Sequence, residues 1–284
     1  MTRVAYDLRD KVVLITGGSR GIGNATAREL LRRGAKVVIV DIELDTTQLA
    51  ERMSAHSAMG IVADVRERAT LDLAVTEAVE RFGRIDIAIA NAGILPRTAT
   101  LRTTPITSID AVMAVNVNGV VNTVQATADQ IIAQRGQYVL ISSVFAFLNA
   151  LGTIPYAMSK AAVEQLGRGL RVELASHGVS TTIAYFSLID TDMIKQGVDA
   201  DPLVEELLAA LPSPLLKRLQ PQAAATALVE GLVHRSPRVM APARWKPISA
   251  LRGPIAPALD PQLARNRRTQ AALTELDARS AITR

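Results

Sequence analysis

The chain alternates short, uninterrupted apolar runs with longer stretches whose apolar residues recur at helical spacing. Lys11-Val-Val-Leu-Ile-Thr16 has the β-branched character of a strand covered on both faces. A glycine-rich turn, residues 17–23, follows, and residues 24–33 then read as an amphipathic helix closed by Gly34. A second apolar run, Lys36–Asp41, completes a strand–turn–helix–strand unit. The same rhythm predicts helices over 46–56, 66–81, 155–177 and 221–234, with one long helix running from Pro105 to Ala133. Strands are predicted to end near Ala63-Asp64 and to cover 85–90, 137–142 and 179–186, with a short edge strand at 237–241. This alternation predicts a doubly wound α/β fold, a parallel sheet with helices on both sides.

Two segments stand outside the rhythm. Residues 192–219 contain seven leucines and read as a lid over a substrate pocket. Residues 242–284 have no counterpart in a minimal fold of this class. The expected organisation is therefore one domain, residues 1–241, followed by an extension.

Composition narrows the chemistry. Of 284 residues, 49% are apolar and 21% charged, as in a folded globular protein. Cysteine is absent, which excludes disulfides, thiolate nucleophiles and Cys-based metal centres. His56, His177 and His234 show no metal-ligand spacing, so no metal site is expected. No apolar run reaches signal-peptide or membrane-span length, and a cytoplasmic location is expected.

The net charge of +5 is unevenly placed. From Arg235 onward ten basic residues, Arg284 included, face Asp260, Glu275 and Asp277, a net of +7 that leaves −2 for residues 1–234. A basic, partly apolar tail is expected to pack across a neighbouring subunit of a dimer or tetramer, or to touch the inner membrane surface peripherally. No nucleic-acid module is visible, and none is expected as a partner.

Two features carry chemistry. Tyr156 and Lys160, four apart, share a helix face, so their polar ends can converge. Phenol ionises near pH 10, and acid/base work near neutrality needs a shift of roughly 3 units, worth about 4 kcal/mol, which one nearby ammonium can supply. The turn Gly17-Gly-Ser19-Arg20-Gly21-Ile22-Gly23 lets backbone N–H groups and a helix N-terminus approach a pyrophosphate. Asp41 ends the second strand where a carboxylate meets ribose hydroxyls and repels a 2′-phosphate. Arg20 argues for the phosphate, but carboxylate repulsion favours NAD over NADP.

Thr16-Gly-Gly-Ser-Arg-Gly-Ile-Gly23, Asp64-Val65, Asn91-Ala92-Gly93, Asn116, Ser143 and Tyr156-x-x-x-Lys160 together resemble the short-chain dehydrogenase/reductase family, over residues 8–195. The resemblance implies a Rossmann-like fold and an oxidoreductase of alcohols and ketones. It implies Tyr156 as acid/base, Lys160 as its electrostatic partner and nicotinamide-ribose ligand, and Ser143 as donor to the substrate oxygen. Asn116 would hold a water of a proton relay, with Asn118 the competing residue. Asp64 and Val65 would meet the adenine, Asn91-Ala92-Gly93 the adenosine ribose, and Ile189 and Thr191 the carboxamide.

One departure is Phe186-Ser187, where the family usually carries Pro-Gly. Phe186 is expected to narrow the site near the nicotinamide or to form a substrate wall. With Val144, Phe145, Phe147, Leu151, Met193 and the leucine-rich lid, it suggests an apolar pocket for a lipophilic secondary alcohol or ketone. A cofactor-binding scaffold without turnover is the alternative reading.

Overall fold

In the computed structural model, which describes residues 5–282, the first half of the chain forms β1 (Val12–Thr16), α1 (Gly21–Arg32), β2 (Lys36–Asp41), α2 (Thr46–Met53), β3 (Ala58–Val62), α3 (Arg68–Phe82), β4 (Ile87–Ala90), α4 (Ile106–Met113), α5 (Gly119–Ala133) and β5 (Gln137–Ser143). The second half adds α6 (Ile154–Glu173), β6 (Ser180–Phe186), the lid helices α7 (Asp192–Ile194), α8 (Pro202–Leu208) and α9 (Ser213–Leu216), then α10 (Pro221–Val233) and β7 (Arg238–Ala241). The extension contributes α11 (Lys246–Ala250), α12 (Arg252–Arg265) and α13 (Arg267–Ile282). Met1–Val4 and Arg284, the last counted above among the basic residues, lie outside the described residues.

All seven strands pair in parallel, in the order β3-β2-β1-β4-β5-β6-β7. The central runs are buried on both faces because helices cover both. One apolar layer joins the sheet to α1 and α10 through Ala27, Leu30, Leu228 and Leu232, and the other joins it to α3, α5 and α6 through Leu71, Val120, Ile131 and Val163. The chain winds outward from β1 to β3 and then returns to β4, so a crevice opens beyond the carboxyl ends of β1 and β4.

The long helix expected up to Ala133 is interrupted rather than uniform. Between α4 and α5, residues Ala114–Asn118 form a wide π turn. Such turns recur at functional sites, and here the turn carries the fully buried Asn116.

The extension folds back onto its own chain. Trp245 is completely buried with Val144, Ile183, Tyr185 and Met240. The basic stretch 262–279 is not one helix: Asn266 Oδ1 accepts the Arg268 and Thr269 N–H groups at 3.0 and 3.1 Å and caps a new helix, α13. Ala272 and Leu276 of α13 then bury against Leu203 and Leu207 of α8. These apolar residues, expected to serve a neighbouring subunit or a membrane, are taken up within the chain.

Candidate active site

The glycine turn is shaped for close backbone approach. Gly17 has φ +65°, and a Cβ there would stand 2.7 Å from Ala92 Cα. Gly23 sits so tightly under the turn that a Cβ would meet Gly17 O at 2.3 Å. Asn91 fixes the arrangement, its Nδ2 donating to Thr16 O at 3.0 Å and Gly17 O at 2.8 Å. The first N–H groups of α1 have no intrahelical acceptor, and Gly21 and Ile22 at its start line the crevice.

That crevice, a cleft of about 1570 Å³, gathers most of the cofactor residues expected from sequence: Gly17, Arg20, Gly21, Ile22, Asp41, Asp64, Val65, Asn91, Ala92, Gly93, Ile189 and Thr191. Ser19 and Gly23 lie behind this lining. Ser19 binds Asp41 through its N–H and Thr46 through its hydroxyl. The glycine cradle and the carboxylate at its rim fit a nicotinamide dinucleotide.

Asp41 is buried, with Oδ2 accepting from Ser19 N at 2.9 Å and Oδ1 from Ile42 N at 2.8 Å. Arg20 faces Glu43 at 3.3 Å, an exposed pair at the same rim. Asp64 is gripped by Arg66, whose guanidinium holds the carboxyl below its usual range. Thr191 Oγ1 donates to Ile189 O at 3.2 Å, linking the two residues assigned to the carboxamide.

The residues expected to be catalytic gather around α6. Lys160 is buried and donates from Nζ to Ile141 O at 3.0 Å, with Nζ 5.5 Å from the centre of the Tyr156 ring. Ser143 Oγ donates to Phe186 O at 3.2 Å and accepts from Phe145 N. Its neighbour Ser142 does something different: Ser142 Oγ donates to Lys160 O at 2.8 Å and braces the helix. Phe145 stands edge-on to Tyr156, ring centres 6.5 Å apart.

Burial dominates the electrostatics. It raises the Tyr156 phenol to about 12, the hydrogen bond with Ser143 only partly opposing it, and it lowers the Lys160 ammonium to about 8. Desolvation disfavours both charged forms, so each shift runs toward the neutral group.

Asn116 is held on both sides of its amide. Oδ1 accepts from Ile94 N at 2.8 Å, and Nδ2 donates to Ile94 O and to Ser159 Oγ at 3.0 and 3.1 Å. Sequence reasoning missed Ser159, which ties Asn116 to α6 one residue before Lys160. Asn116 Oδ1 and Lys160 Nζ both flank Gly93, where a Cβ would come within 3.3 and 3.5 Å of them. The competing residue Asn118 ends the π turn and makes none of these contacts.

A second, mostly apolar cleft of about 870 Å³ opens beside the first. Ser143, Phe145, Leu151 and Met193 line it, as do Leu207, Leu208 and Leu211 of the lid. Val144 and Phe147 do not: they pack with Tyr185 and Trp245. Phe186 borders the first cleft while packing into the apolar layer under α1 and α10; it does not line the second, apolar cleft, which Ser187 borders. Tyr156, Ser187, Met193 and Ile194 border both clefts.

The short chain dehydrogenase family model matches residues 11–201. This chain belongs to that family. It is an oxidoreductase with the family's nicotinamide dinucleotide cofactor. The 2-(R)-hydroxypropyl-CoM dehydrogenase of Xanthobacter autotrophicus is 32% identical over 71% of this chain and 84% of that protein. Oxidoreductase UcpA of Escherichia coli is 33% identical over 72% of this chain and 81% of UcpA. Among solved structures, a gluconate 5-dehydrogenase from Burkholderia cenocepacia in complex with NADP and tartrate superposes with a TM-score of 0.74. It is 29% identical and covers 83% of this chain and 95% of its own. The family match ends inside the lid, before the extension begins.

Proposed function

We propose that this short-chain dehydrogenase interconverts a lipophilic secondary alcohol and its ketone with NAD(H), using Tyr156 as the acid/base. The observation that carries this reading is the position of Tyr156 on the border between the glycine-cradled cleft and the apolar one. A group there can exchange a proton with a substrate oxygen while the substrate carbon faces the cofactor. Bound nicotinamide would supply or accept the hydride and, when oxidised, would add positive charge to that of Lys160.

The protein's own residues handle the proton. In the oxidative direction Tyr156 Oη takes the proton of the substrate hydroxyl, and Lys160 stabilises the phenolate that does so. Ser143 Oγ turns from Phe186 O to hold the substrate oxygen, which orients the carbon. Asn116 fixes the 94 loop against α6 and so keeps the route from Lys160 toward solvent in place. In the reductive direction the same phenol gives its proton to the forming alkoxide.

NAD is favoured over NADP because Asp41 places a buried carboxylate at the ribose position while Arg20 is engaged by Glu43. The extension packs partly on its own chain and leaves much of its basic surface exposed, so it can still meet a neighbouring subunit of a dimer or tetramer. Among the described residues no helix is long and apolar enough to cross a membrane.

The test is turnover of a panel of apolar secondary alcohols with NAD, compared with Tyr156→Phe. Loss of turnover by about 10²–10⁴-fold with NADH binding retained supports the mechanism. An active Tyr156→Phe enzyme would remove it, and a cofactor-binding wild type that turns over none of the panel would favour a scaffold.

A further inference from the structure

We infer that the C-terminal extension sets the length of apolar substrate this enzyme accepts, with Leu259 and Leu263 of α12 as specificity-determining residues. The inference rests on the alcohol/ketone reading above. Both leucines line the same cleft as Ser143 and Tyr156, although they lie about one hundred positions further along the chain. They contribute only apolar surface, so they face the substituent of the substrate and not its reacting oxygen.

The wall they form is held from two sides. Arg252, at the start of α12, makes a two-pronged ion pair with Glu164 of the catalytic helix, at 2.8 and 2.6 Å. Asp260, next to Leu259, accepts from Asn149 Nδ2 at 2.6 Å, and Asn149 itself lines the cleft. Beyond α12, Leu276 of α13 packs on Leu203 and Leu207, so the extension also braces the lid. A wall anchored in this way resists displacement by a longer substrate, and a hydrophobic pocket discriminates by about 10–200-fold per methylene that it cannot house. The family model matches residues 11–201, and the wall lies beyond it.

The experiment uses the full-length enzyme with alkan-2-ols from butan-2-ol to dodecan-2-ol. Two readouts are taken in parallel: kcat/KM with NAD, and the thermal shift that each alcohol produces in the presence of NADH. In Leu263→Ala the decan-2-ol to hexan-2-ol ratio of kcat/KM should rise about tenfold, and in Leu259→Trp it should fall by a similar factor. Leu259 is only partly buried, so the tryptophan variant tests the wall even where Leu263→Ala does not fold. The same length profile in wild type and folded variants, by both readouts, would overturn the inference while measurable turnover still upheld the reaction. A profile that shifts in the thermal readout without any turnover would support the wall and refute the alcohol/ketone reading. Neither turnover nor thermal shift with any alcohol would overturn both.

Discussion

Glu164 and Arg252 are 88 positions apart, and their side chains meet in a bidentate ion pair between α6 and the extension. Glu164 lies one turn beyond Lys160 on α6, so Tyr156, Lys160 and Glu164 follow one another along a single face. The extension is thus fastened to the same helix that carries Tyr156 and Lys160.

The two partners differ in exposure, with side chains 7% exposed for Glu164 and 31% for Arg252. Arg252→Met leaves a buried carboxylate without its cation and should destabilise by about 3 kcal/mol. Glu164→Gln leaves a guanidinium that can still reach water, and should cost about 1 kcal/mol. Urea unfolding of the two variants checks the order. Equal losses would mean that the pair adds little beyond surface charge.

Cofactor choice should respond to Asp41 and Glu43. Asp41→Asn keeps an acceptor for Ser19 N but removes the charge that opposes a 2′-phosphate, and Glu43→Gln frees Arg20. The double variant should gain NADPH affinity by about tenfold or more relative to NADH. Fluorescence titration with both nucleotides measures the ratio; an unchanged ratio would show that neither carboxylate selects the cofactor.

Lys160 should make stability depend on pH. Its ammonium is lowered to about 8 from 10.5 by burial. Between those values the unfolded chain holds a proton that the native protein has released, so stability rises with pH. Below about pH 8 the burial cost is fully present. From about pH 7.5 to about pH 9.5 the gain from this group should be about 2 kcal/mol, and Lys160→Met should lose that increment. Urea unfolding at the two pH values gives the difference directly; an unaltered slope in the variant would assign the dependence to other groups.

Gly23→Ala should damage the cofactor cleft. The added Cβ would lie 2.3 Å from Gly17 O and 2.9 Å from Gly18 Cα, both backbone atoms, so the turn must open. A stability loss of about 1–3 kcal/mol is expected, together with at least a tenfold loss of NADH affinity. Wild-type affinity in the variant would mean that the turn does not shape the site.

The sheet was legible because its strands are runs of β-branched residues separated by helices of matching length, a pattern set by burial on both faces. The glycine turn, Asp41 and the Tyr156/Lys160 spacing were legible for a related reason: local backbone geometry fixes where they stand. The break in the long helix at Ala114–Asn118 was not, since the apolar periodicity runs through it and the only local mark is Gly119, which follows the π turn and is compatible with an unbroken helix. Phe186 was legible in part: it borders the first cleft, one of the two places expected for it, while its packing in the core keeps it out of the second cleft, which Ser187 borders.

The sequence by itself determined the order of the strands and helices of the sheet, the glycine turn and the shared helix face of Tyr156 and Lys160, because spacing along one strand or one helix is enough to bring those groups together. Only the tertiary structure decided that burial raises Tyr156 and lowers Lys160, since desolvation depends on every neighbour and not on spacing. It also decided where the extension goes. Leu259 and Leu263 reach the substrate cleft through contacts made across the whole chain, Arg252 to Glu164 and Asp260 to Asn149, and such long-range pairings leave no periodic trace in the sequence.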